Sequence, residues 1–295
     1  MGTSNSYGGP GRNTPLVPSW LGGAPETIPS DENSDKENQP NKPDKTPISP
    51  VDTVHSPNSL PPLPSPDRYR QPRINFNRFA KSGSKSGGFL GRAISSYVSK
   101  SSGGPRTAAK KMGSSQHTTA GLVDFLNTVR TQGAEVALTS YNLGNLVGQS
   151  IEDIFLGLMD YICPAGGNVD EGIARNAFIE TIADLAVEGV MDLNGLTEEQ
   201  LRLIVEIYAT HAIEARLCND IGTKICIAPD NIALVERAQE QLHDFIRRGV
   251  ADALNTMQSN FTNLTATDTA KFVDEIYIES FTMLQTLGEI ESDAE

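Results

Sequence analysis

The sequence predicts an all-α protein: a helical bundle as C-terminal domain, preceded by a long disordered N-terminal region with a short basic amphipathic helix. Three observations carry that reading. Fifteen of the 18 prolines fall in the first 72 residues, whereas capped segments with a 3.6-residue apolar period dominate from about residue 117. Charge is also partitioned. Residues 1–65 hold 4 Lys/Arg against 7 Asp/Glu, residues 66–112 hold 11 against 1, and residues 113–295 hold 9 against 29. The net −13 therefore conceals a segment at +10 between a polar tail and a domain at −20.

These shifts divide the chain into a tail (1–21), a Pro-rich linker (22–66), a basic docking segment (67–114) and an acidic all-α domain (115–295). The tail, MGTSNSYGGPGRNTPLVPSWL, has four glycines and three prolines against helix or central strand, yet ends with the chain's one tryptophan, Trp20. A large aromatic on such a tail calls for a pocket on a partner. Gly2 is small enough to permit removal of the initiator methionine, which would leave an unhindered α-amine. The opening also fits the loose acylation pattern M-G-x-x-x-[ST] through Gly2 and Ser6. The linker lacks the apolar residues needed to offset the entropy of ordering its backbone, and it reads as a polyproline-stiffened spacer.

In the basic segment, Phe89, Leu90, Ala93, Ile94, Tyr97 and Val98 form an apolar stripe, predicting a short helix near residues 89–100 that needs a surface to dock on. The candidate interface comprises Arg68, Arg70, Arg73, Arg78, Lys81, Arg92, Lys100, Arg106, Lys110 and Lys111, interleaved with Tyr69, Phe76, Phe79, Phe89 and Tyr97. Such a pattern suits an acidic protein surface, including the acidic domain of this chain, a nucleic-acid backbone with stacked bases, or a membrane surface.

In the acidic domain, a first helix is expected over about 118–131. Ser150 with Asp153, Asn168 with Glu171 and Thr197 with Gln200 have the spacing of helix N-caps and mark three more. Two further helices are expected over about 230–258 and 267–288, giving six or so. The β-prone KICIA at 224–228 has no partner strand.

Chemistry-bearing motifs are missing: no nucleophile elbow, phosphate-binding loop, HExxH or dinucleotide fingerprint occurs. Ser82 and Lys85 match S-x-x-K only within a glycine-rich stretch. His211 and His243 have no ligand partner at i+4, so no metal ligands, cofactor or catalytic residues are expected. Three cysteines without CxxC spacing and no long apolar run suit a cytoplasmic protein with no membrane partner.

The tail, with its Gly-Thr-Ser start, Gly-Gly-Pro and Pro-Leu-Val-Pro-x-Trp, resembles the start of QatB proteins, as does FNRFAKSG…LGRAISSYVSK…GGPRTAAKKMGSS. QatB proteins belong to four-gene bacterial anti-phage systems with an ATPase, a QueC-like protein and a TatD-like nuclease. The resemblance implies a non-catalytic subunit of a defence complex, its N-terminal glycine joined by the QueC-like partner to a 7-deazaguanine carboxylate. Gly2 would be the acceptor, with Thr3 and Ser4 beside it, and Pro15, Val17, Pro18 and Trp20 the anchor.

Overall fold

Helix-starting signals in the sequence turn into hydrogen bonds in the structure, a computed structural model that describes residues 67–82, 87–163, 165, 167–188, 193, 195–222, 232–257 and 264–293. Ser150 Oγ accepts from the Asp153 amide at 3.2 Å and opens α6, Ile151–Ile162. Complete capping boxes at Asn168/Glu171 and Thr197/Gln200 open α7, Val169–Val187, and α8, Glu198–Ile221. Each cap satisfies amides with no partner inside the helix, worth about 1 kcal/mol apiece. Thr265 and Asp268 cap α10, Ala266–Asp293, in the same way, and α9 spans Ile232–Met257.

Five helices precede these, and one of them corresponds to the helix expected over about 118–131. That one is α4, Gly113–Gln132, which starts five residues earlier than the predicted 118. Gly133, at φ 93°, turns the chain into α5, Ala134–Ser140. The basic segment contributes α1, Arg70–Lys81, α2, Gly87–Ser96, and α3, Pro105–Lys110. The predicted 89–100 helix therefore ends at Ser96 and continues as a π-helical turn, Tyr97–Ser101. Widening the turn lets the Ser102 amide reach the Tyr97 carbonyl at 2.8 Å. Gly104 at φ 100° then reverses the chain, and Pro105 starts α3 at a position where a missing N–H costs nothing.

All described residues lie in one unit, Ser65–Glu295. They contain no strand, and none of their helices is long and apolar enough to cross a membrane. The tail, the linker and the KICIA fragment lie outside the described residues.

The boundary expected at residue 114 does not divide this unit. Phe76, Phe79, Leu90, Ile94, Tyr97 and Val98 of the basic segment belong to the same buried cluster as Leu122, Phe155, Phe178, Tyr208, Phe245 and Phe281. The docking helix thus already has its surface, because α2 packs along α10, which also packs on α9, α3 and α4.

Two glycines make the α2–α10 contact possible. A Cβ at Gly91 would stand 2.6 Å from the Gly288 carbonyl oxygen, and one at Gly288 would stand 2.6 Å from the Gly91 carbonyl oxygen. Both are backbone atoms and cannot yield as a side-chain end would. On the far side, α7 packs on α8 and α8 on α9, with Phe155 stacked on Phe178 at 5.6 Å and Phe178 edge-on to Tyr208 at 6.0 Å.

Gly288→Ala should force the two backbones apart and lower unfolding free energy by about 1–3 kcal/mol in urea titrations. Gly172→Ala, in α7 with nothing within 4 Å of the added methyl, should raise it by about 0.5–1 kcal/mol.

Candidate functional site

The ten cations of the basic segment divide into two sets. Arg70, Arg78, Lys81, Lys100, Arg106 and Lys110 are exposed, while Arg68, Arg73, Arg92 and Lys111 are half-buried and engaged within the unit. Tyr69 is the centre of the inner set. The Arg68 guanidinium lies 4.7 Å from its ring centroid, that of Arg73 5.5 Å and the Lys111 ammonium 5.7 Å, while the ring stacks on Tyr97 at 5.8 Å. Arg73 Nε donates to the Asp220 carbonyl at 2.9 Å, and Tyr97 Oη donates to Asp220 Oδ2 at 2.8 Å. Buried Arg216, on α8, donates to the Lys111 carbonyl and to Asp170 at 2.7 Å.

This crowding shifts the ionisations. Burial, reinforced by Arg68, lowers Lys111 to about 8 despite the opposing pull of Asp220. Burial and then Asp220 push Tyr69 up to about 12, and the same causes raise Tyr97 well above its ordinary value. These groups tie the end of α8 to the start of the unit.

On α2, Arg92 lies 5.4 Å from the Phe89 ring centroid and donates to the Ser292 carbonyl at 3.2 Å. Exposed Arg78 approaches the same ring at 5.9 Å, and Arg106 borders a cleft with Asp274, Glu275 and Glu279 of α10. Part of the segment's charge is therefore balanced inside the chain. A larger cleft of about 650 Å³ lies between α2, α8, α9 and α10. The ion pairs Arg248–Glu291 at 2.9 Å and Arg247–Glu206 at 3.2 Å occupy its walls beside Asp244, so both of its arginines are matched by carboxylates.

The two helical histidines come together across a helix interface. His211 and His243 lack partners along their own helices at i+4, but their rings approach to 5.2 Å across the α8–α9 interface. His211 Nε2 is 2.8 Å from Asp184 Oδ2 of α7, and His243 Nδ1 is 2.8 Å from Glu214 Oε2 of α8. The hydrogen bond to Glu214 raises the His243 pKa, against the opposing effect of burial.

Gly2, Thr3, Ser4, Pro15, Val17, Pro18 and Trp20 lie outside the described residues, as does Lys85. Ser82 ends α1 and donates to the Phe79 carbonyl at 2.7 Å.

Fold and surface together define an all-helical protein whose charged side chains fasten one helix to the next beneath a partly exposed cationic face. Residues 103–284, more than half of the chain, match the family described as Qat anti-phage system associated protein QatB, and the chain belongs to that family. It is accordingly a component of an anti-phage defence system of several parts. No curated protein and no solved structure matches it. The matched span holds α10 only as far as Leu284 and does not include α2, the helix packed on it.

Because Lys111 titrates lower in the folded chain than its ordinary 10.5, the unfolded chain binds that proton more readily between about 8 and 10.5. Its contribution to stability therefore rises with pH across that window. Urea unfolding of the natural chain and Lys111→Met at both ends of the window should show this rise in the natural chain and a smaller one in the variant.

Proposed function

We propose that this chain is a non-catalytic subunit of its defence system, with the helical unit as scaffold and the N-terminal glycine as acceptor for a group attached by a QueC-like partner. The family membership of the helical unit is the observation that carries the reading. The sequence ahead of it supports the reading, since Gly2, Thr3 and Ser4 open the chain and Pro15, Val17, Pro18 and Trp20 follow within the same tail.

In the proposed reaction the deprotonated Gly2 amine, freed by removal of the initiator methionine, attacks the carbonyl carbon of an activated 7-deazaguanine carboxylate. A C–N bond forms, the activating group departs with a carboxylate oxygen, and the amine nitrogen gives up a proton. This chain supplies the nucleophile alone, and activation belongs to the partner. Trp20 adds a rigid apolar anchor behind the reacting end, with Pro15 and Pro18 limiting the tail's freedom. The ATPase and the TatD-like nuclease are the other proposed partners, all in the cytoplasm.

Six exposed cations favour a second reading, in which the 68–111 face also binds nucleic acid.

Intact-mass analysis of the N-terminal peptide, from chain produced with and without the neighbouring proteins, tests the first reading. A mass increase on Gly2 that requires the QueC-like protein is expected, with reduced capture by that protein for Trp20→Ala. An unmodified Gly2 under active co-production rules the modification out and leaves the subunit role intact. For the second reading, full-length chain should bind labelled DNA or RNA with an affinity that falls steeply with salt and is weakened by Arg70→Glu, Arg78→Glu and Lys110→Glu. Absent or salt-insensitive binding contradicts it.

A further inference from the structure

We propose that His211, Glu214 and His243 form a site for one divalent transition-metal ion of the zinc class. Among the described residues, these three each offer a ligand atom within 4.8 Å of the other two. The placement follows from helix geometry. His211 and Glu214 are three residues apart on α8 and so share a face, while His243 reaches that face from α9.

The donor set is chemically apt. Two imidazole nitrogens and one carboxylate oxygen suit zinc, whose bonds of about 2.0–2.2 Å in a tetrahedral site place ligand atoms about 3.3–3.5 Å apart. Closing from 4.8 Å needs a contraction of about 1.3–1.5 Å, within reach of rotations of half-buried side chains. Glu214 and His243 already approach to 2.8 Å. Metal binding would displace the proton now held between them and release it to solvent.

An outer partner is also in place. Asp184 Oδ2 on α7 lies 2.8 Å from His211 Nε2, placed to accept that N–H and hold the ring while the other nitrogen, Nδ1, would serve as the ligand atom. The surrounding charge favours a cation. Arg247, four residues beyond His243, is held by Glu188 at 3.1 Å and Glu206 at 3.2 Å, so its charge is already matched by two carboxylates.

Side-chain exposures of 12% for His211, 19% for Glu214 and 25% for His243 leave an entry path from solvent. Three protein ligands leave a fourth position for water or for a donor from a partner. The ion would cross-link α8 to α9 directly and reach α7 through Asp184, and its site is separate from the N-terminal acceptor chemistry proposed above.

The test uses full-length chain, demetallated with chelator and titrated with zinc against a chromophoric chelator. One equivalent should bind and raise the melting temperature, and cobalt in its place should give the visible bands of a four-coordinate ion without thiolate charge transfer. His211→Gln/His243→Gln should weaken binding by at least about 100-fold and Asp184→Asn by about 10-fold. Wild-type chain gives a readout independent of any variant: zinc should protect His211 and His243 from carbethoxylation, while exposed His117 reacts equally with and without it. Absence of stoichiometric binding, binding that survives the double substitution in a folded chain, or unprotected His211 and His243 in the zinc-loaded protein would overturn the proposal.

Discussion

Gly91 and Gly288 let the backbones of α2 and α10 touch, and the position of the whole basic segment depends on that contact. With no Cβ on either side, the two helices approach until each glycine's carbonyl oxygen occupies the space a methyl would need on the other. Leu90, Ala93, Ile94, Tyr97 and Val98 are then buried, each large side chain contributing about 1.5–3 kcal/mol relative to exposure. Once α2 is fixed, Tyr97 stands beside Tyr69 and Asp220, and the cations nearest them become internal. The same step leaves Arg70, Arg78, Lys81, Lys100, Arg106 and Lys110 exposed on a helical base. A cationic surface carried on an ordered frame loses less entropy on meeting a partner than one that must fold first.

Across the rest of the unit, polar groups are matched helix to helix. Arg216 joins α8 to α7 through Asp170 and to the loop before α4 through the Lys111 carbonyl. Arg247 bridges Glu206 on α8 and Glu188 just after α7, and each histidine takes a carboxylate from another helix. Such pairs add little net stability where they are solvated, but they disfavour wrong registers between packed helices. An acidic domain built in this way can present charge to partners while keeping its own helices in order. That suits a component of a multi-part defence system.

What the sequence disclosed was mostly local. Ser150, Asn168 and Thr197 are legible because a cap and its partner lie within four residues, and the core stripes of α7 to α10 repeat over several turns. α1 was not legible: RQPRINFNRFAK contains Pro72 and few apolar residues, and it is helical because Phe76 and Phe79 are buried by distant parts of the chain. Nor does sequence spacing show that Gly91 meets Gly288, or that His211 meets His243, since both pairs form across helix interfaces. A search for ligands at i+4 looks along one helix and misses a partner on the next. The family resemblance, by contrast, was legible in short motifs of the tail and basic segment, ahead of the matched span and at its start.

Hydrogen exchange on the full-length chain tests the central claim most directly, by comparing amides of α2 around Leu90 and Ile94 with those of α10 around Ile276 and Phe281. If α2 is part of the core, both sets exchange only through the same global opening, with the same dependence on added denaturant. Rapid exchange throughout α2 while α10 stays protected would contradict the account and return the basic segment to the status of a separately docked element.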